Sequence, residues 1–134
     1  MTNNSIPADG PAADVWTVPR HLAAGSENGV ALYRRFIELI ERNGPIRYAV
    51  SKTTITLKGD RRGFAGAKPK GDVLSGYFDV QRQISDPRIS NVSAYTHRLF
   101  VHHFRVESLD QLDDTFAGWL AEAYAVGAGA HLTR

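Results

Sequence analysis

Five histidines, a scatter of serines and a dense set of lysines and arginines are the side chains with chemistry to offer in this 134-residue chain. Cysteine is absent, which removes disulfides, thiol catalysis and Cys-ligated zinc together. His102 and His103 are adjacent, and neighbouring residues of a strand point to opposite faces, so the two cannot share one ion in regular geometry. His97 reaches either of them only through the preceding turn, and nothing in the spacing brings Asp79 in as a third ligand. No metal site is therefore expected. His102 lies among aromatics and reads as a buried, hydrogen-bonded histidine rather than a general base. Ser51, Ser75 and Ser93 stand near histidines in sequence, but neither a nucleophile elbow nor a paired-carboxylate motif accompanies them. Gly63, Gly66 and Gly71 form no phosphate or dinucleotide fingerprint, because no helix follows to offer its N-terminus. The expectation is a chain with no catalytic residue and no cofactor.

The charged residues carry more. The formal net charge is only +2, yet residues 46–106 hold eleven lysines and arginines against four aspartates, an excess of seven. Residues 1–45 are at −1 and residues 107–134 at −4. Strand parity then sorts the middle third onto two faces. Ile55, Leu57, Leu74, Phe78, Phe104 and Val106 fall on one side. The other side collects Thr54, Thr56, Lys58, Ser75, Tyr77, His103 and Arg105. Lysine and arginine pair with phosphates and an exposed tyrosine stacks a base, the physics of single-strand platforms. A second basic group, Arg61, Arg62, Lys68 and Lys70, lies on or beside turns rich in glycine. The residues expected to contact an anion or nucleic acid are Lys52, Lys58, Arg61, Arg62, Lys68, Tyr77, His103 and Arg105. Two other readings stay open: an ordinary solvated sheet face, and a basic hairpin that guards an edge strand against aggregation.

Elements to position these groups are legible in the periodicity. Residues 1–20 mix Asn, Ser, Pro, Gly and Ala without a pattern and read as a flexible tail, in which Trp16 is the one bulky residue expected to dock on the body. From Ser26 to Asn43, Val30, Tyr33, Phe36, Ile37 and Ile40 recur at helical spacing, and Asn43-Gly44-Pro45 stops the helix. Five β-segments follow: 46–50, 53–58, 63–67, 73–80 and 98–106, with 89–96 read as a loop. Ser108 and Gln111 suit a capping box opening a final helix, whose stripe is Leu109, Leu112, Phe116, Leu120 and Ala123, flanked by Trp119 and Tyr124 and capped by Gly127. Residues 128–134 are expected to fray. The order α-β-β-β-β-β-α predicts one α+β domain over 21–127: a largely antiparallel sheet of about five strands with its helices packed on one face.

Three strings, YAVSKTTITLKGDRRGFAGAKP at 48–69, RLFVHHFRV at 98–106 and LDDTFAGWLAEAYAVG at 112–127, resemble the small bacterial family catalogued as domain of unknown function 5655. The likeness spans about residues 20–130. Lys52-Thr53 matches the lysine-led start of the family's second strand, Phe64 the aromatic after its basic turn, and His102, His103 and Ala123-Tyr124 its last strand and closing helix. Some relatives carry a Cys-rich stretch before the domain; this chain has none, which excludes a zinc ribbon. Relatives fused to nuclease-type modules imply an accessory binding role.

The N-terminus has neither a charged n-region nor an apolar h-region, and no window approaches a membrane span, so a cytoplasmic protein is expected. The leading expectation is a module for a phosphate-rich ligand such as nucleic acid. A protein-interaction or self-association module, a homodimer included, is the alternative, and a small-molecule enzyme with a pocket at His97 or His102 is a third reading.

Overall fold

The structure, a computed structural model, describes residues 15–96 and 98–132; expectations for residues 1–14, His97 and 133–134 lie outside it. Among the described residues there are three α-helices: α1 (Val18–Leu22), α2 (Glu27–Glu41) and α3 (Asp114–Gly127). Six strands lie between α2 and α3: β1 (Arg47–Val50), β2 (Ile55–Lys58), β3 (Gly63–Lys70), β4 (Val73–Val80), β5 (Ile89–Thr96) and β6 (Leu99–Val106). They form a single antiparallel sheet in the order β1-β2-β3-β4-β6-β5. The α+β class and the antiparallel sheet agree with the sequence pattern; the strand count is six rather than five. No described helix is long and apolar enough to cross a membrane.

Each helix begins where a short polar side chain satisfies an otherwise orphaned backbone N–H. Thr17 Oγ1 accepts from Arg20 N–H at 3.2 Å, Ser26 Oγ from Gly29 N–H at 3.3 Å, and an Asp113 carboxylate oxygen from Phe116 N–H at 3.0 Å. Helix α2 ends at Glu41 with Arg42 as its C-cap, and the chain turns away at Gly44, whose φ of +142° only glycine adopts without strain.

Helices α2 and α3 pack on one face of the sheet and close the core. Phe36 and Ile40 of α2 and Phe116, Leu120 and Ala123 of α3 are fully buried against Ile55, Leu57, Phe78 and Val106. Phe116 presents its edge to Phe78 at 5.9 Å and to Phe104 at 5.1 Å between ring centroids, a favoured aromatic arrangement. A β-bulge pairs Leu57 with Ala65 and Lys58 with Gly63, so Phe64 is the extra residue. Both Phe64 and Ala65 are consequently buried, and Phe64 meets Tyr124 of α3 edge-on at 5.5 Å.

Several elements differ from the sequence expectation for identifiable reasons. Residues 89–96 are a strand, not a loop. Ile89, Val92 and Ala94 pair with Phe104, His102 and Phe100 of β6, but register shifts at 89–91 and 94–96 break the alternation that marks a strand in sequence. Arg88 anchors its start by bonding Asp86, the Gln111 carbonyl at 2.7 Å and Asp113 at 2.9 Å while lying over Trp119. The capping-box segment forms only a 3-10 turn, Leu109–Gln111, in which Gln111 Oε1 accepts from Ser108 N–H. The helix itself starts later, at Asp114. Leu109, assigned to its apolar stripe, is 49% exposed. On α2, Leu32 and Leu39 join Tyr33, Phe36 and Ile40 in the core while Val30 and Ile37 are only half-buried, because the helix packs against both the sheet and α3. Helix α1 begins at Val18, inside the segment read as tail, and Trp16 packs on His21 at 4.7 Å. Past α3, Gly129 rather than Gly127 takes the positive φ, and Ala130–Leu132 form a 3-10 turn that buries His131.

Candidate nucleic-acid interface

With both long helices on one face, no described helix lies over the other face of the sheet. Register decides which side chains meet there. Lys68, Ser75 and Arg105 stand opposite one another across β3, β4 and β6. The adjacent row runs Thr56, Gly66, Tyr77, His103 and Asn91 across five strands. Asp79, Val101 and Ser93 make the next.

Two shallow depressions follow from this layout, with Tyr77 lining both. The first, of about 390 Å³, has Lys68, Ser75, His103 and Arg105 around it and Thr53 and Thr54 at its side. Arg105 pairs there with Glu107; both are more than half exposed, and a pair this wet is worth ~1 kcal/mol or less, so an incoming phosphate displaces it readily. Lys68 makes no ion pair among the described residues. The phenol of Tyr77 is held flat by glycine: a Cβ at position 66 would lie 2.6 Å from Tyr77 Cε1. Gly66 thus serves the tyrosine rather than an anion. The Tyr77 hydroxyl lies 3.4 Å from Thr56 Oγ1, and its ring centroid 6.2 Å from that of His103.

The second depression, of about 500 Å³, is lined by Arg62, Gly63, Tyr77, Asp79, Tyr95 and Val101. Arg62 is set by the end of α3: the backbone N–H groups of Arg61 and Arg62 both donate to the Gly127 carbonyl, at 2.9 and 3.2 Å, closing the helix terminus. From there the Arg62 side chain crosses to the open face. Its Nε donates to the Gly63 carbonyl at 2.8 Å and its Nη2 to Asp79 Oδ2 at 2.7 Å, and the guanidinium carbon lies 5.4 Å from the Tyr95 ring centroid. Asp79 is buried, and its Oδ1 has no hydrogen-bond partner among the described residues. Burial pushes its carboxyl up to about 6, against the opposing pull of Arg62.

The expected contact residues therefore divide. Lys68, Tyr77, His103, Arg105 and Arg62 converge on the two depressions. Lys58 lies beside Gly63, just outside them, with its Cγ 3.8 Å from where a Cβ at Gly63 would be. Lys52 stands in the β1–β2 turn, and Arg61 packs its stem by Gly129 at the α3 terminus. Neither belongs to the groove. Asp79 and Tyr95 are site residues absent from the contacts expected from sequence: Asp79 is weighed there only as a metal ligand, and Tyr95 lies in the segment read as a loop.

The histidines separate as their adjacency requires. His103 is exposed on the open face and His102 is fully buried on the other, stacked on Phe78 at 5.2 Å. His102 Nε2 accepts from Ile84 N–H at 2.9 Å, which leaves Nδ1 to carry the proton it donates to the Phe100 carbonyl at 3.1 Å. Desolvation holds this ring below the ordinary histidine range, so it is neutral and structural. Among the described residues no group of three or more His, Asp or Glu side chains could hold a metal ion.

A family model described as a domain of unknown function, DUF5655, matches residues 19–127. No curated protein and no solved structure matches the chain.

Proposed function

The chain belongs to the DUF5655 family of domains of unknown function, and from that premise we propose that it is a binding module which holds single-stranded nucleic acid on the open face of its sheet. The observation that carries this reading is the cross-strand row Lys68, Ser75 and Arg105 beside the row that presents Tyr77 and His103. Cations and a hydroxyl contact the phosphates, and the flat, accessible tyrosine ring stacks a base. An all-antiparallel sheet with its helices on the far side gives an extended strand room to cross several β-strands.

Fluorescence anisotropy of a labelled single-stranded oligonucleotide at two salt concentrations tests it. Affinity should fall steeply with salt, with a log–log slope of about −0.7 for each phosphate contacted. Lys68→Glu together with Arg105→Glu should weaken binding to all sequences alike and flatten that slope, while Tyr77→Ala should cost roughly 1–3 kcal/mol with the slope unchanged. No binding at low salt would overturn the proposal.

The rival reading, self-association or a partner protein, rests on β5. Among the described residues this strand is at the sheet edge, pairs only with β6, and exposes Ser90, Asn91, Ser93, Ala94, Tyr95 and Thr96. It predicts a concentration-dependent mass with little response to salt.

A further inference from the structure

We propose that the depression formed by Arg62, Tyr77, Asp79 and Tyr95 is a base-reading subsite that prefers guanine, while the Lys68–Ser75–Arg105 row takes the phosphate. This rests on the single-strand reading above and assigns the two depressions different parts of the same ligand.

Charge separates the roles. In the Lys68 depression Arg105 pairs with the exposed Glu107, which yields to a ligand, and Lys68 has no ion pair among the described residues. In the other, Arg62 is paired with the buried Asp79 in the lining itself, so the two together are nearly neutral and a phosphate gains little there. Its remaining lining is two phenol rings, a glycine and Val101, which suits a flat aromatic heterocycle.

Arg62 supplies the direction. Its guanidinium has five N–H donors; Gly63 and Asp79 engage two, which leaves three without a partner among the described residues. The two engaged bonds and the Tyr95 ring fix the plane of the fork. A fork held this way recognises two neighbouring acceptors, and guanine offers O6 and N7 together, whereas thymine has no such pair. Asp79 is a positioning residue here: its Oδ2 holds Arg62 and its Oδ1 is buried.

Spacing fits a strand rather than a free base. Asp79 and Ser75 are four residues apart on β4, about 13 Å, with Tyr77 midway on the same face. Successive nucleotides cover that distance, stacking on Tyr77 as they pass.

The test compares a short thymidine-only DNA strand with the same strand carrying one central guanine, using the full chain. The guanine strand should bind about tenfold more tightly, the scale of one good bidentate base contact. Arg62→Lys keeps the charge and loses the fork, so it should abolish the preference while leaving the salt slope unchanged. Tyr95→Ala, at a residue 63% exposed and therefore safe for folding, should reduce the preference as well. Equal binding of the two strands, or a preference that survives Arg62→Lys, would overturn the base-reading subsite and leave the phosphate platform standing. Failure of both strands to bind at low salt would remove the platform and the subsite together.

Discussion

Replacing Asp79 by asparagine should change how stability depends on pH, and in the direction opposite to ordinary acid denaturation. In the folded chain burial raises this carboxyl from its usual 3.8 to about 6. The unfolded chain gives up the proton near 3.8, so between those values the folded state binds more protons than the unfolded state. Stability must then fall as pH rises through that window. The gap corresponds to roughly 3 kcal/mol, fully present as a cost above about pH 6 and absent below about pH 4. The attraction of Arg62 is already contained in that value and acts only where Asp79 is ionised, so what remains between the protonated acid and asparagine is an offset that hardly varies with pH. Asp86 and Asp113, held below the carboxylate range by Arg88 and by the Phe116 N–H respectively, and the neutral His102 pull the other way: each loses stability as pH falls. Both proteins carry these groups, so they cancel in the difference. Urea unfolding followed by tryptophan fluorescence, with Trp119 in the core as reporter, gives the stability of each protein from pH 4 to 7. The native chain should lose about 3 kcal/mol relative to Asp79→Asn across that range. A difference that is flat, or that moves in favour of the native chain as pH rises, would refute the assignment of Asp79 as a desolvated carboxyl.

Other substitutions test the packing. Phe116→Ala should cost about 3–5 kcal/mol, because the ring is fully buried against Phe78 and Phe104, whereas Leu109→Ala should stay within about 0.5 kcal/mol; denaturant midpoints distinguish the two. His102→Leu strands the Ile84 N–H and the Phe100 carbonyl, and should destabilise by about 1–3 kcal/mol for each group left unsatisfied, read as a lower melting temperature.

Much of this protein is written in local pattern. Apolar residues at helical spacing and the stop at Gly44 specify α2, and alternation in 98–106 is enough to send His102 inward and His103 outward, because side-chain direction along a helix or strand depends only on position within the element. The same parity collected Tyr77, His103 and Arg105 on one face before any register was known. Strand β5 escaped, since two register shifts at a sheet edge leave no period to read. The late start of α3 escaped as well: the Ser108 signal is satisfied by a 3-10 turn, and Arg88, arriving from a distant segment, binds both the Gln111 carbonyl and Asp113 at the true helix start. What tertiary structure alone decided is adjacency. Lys68 meets Arg105 across Ser75, and Arg62 crosses from the α3 terminus to Asp79, 17 residues on. Pairing between strands is set by which hydrophobic faces are buried together over the whole sheet, a global condition that residue types and local spacing do not contain.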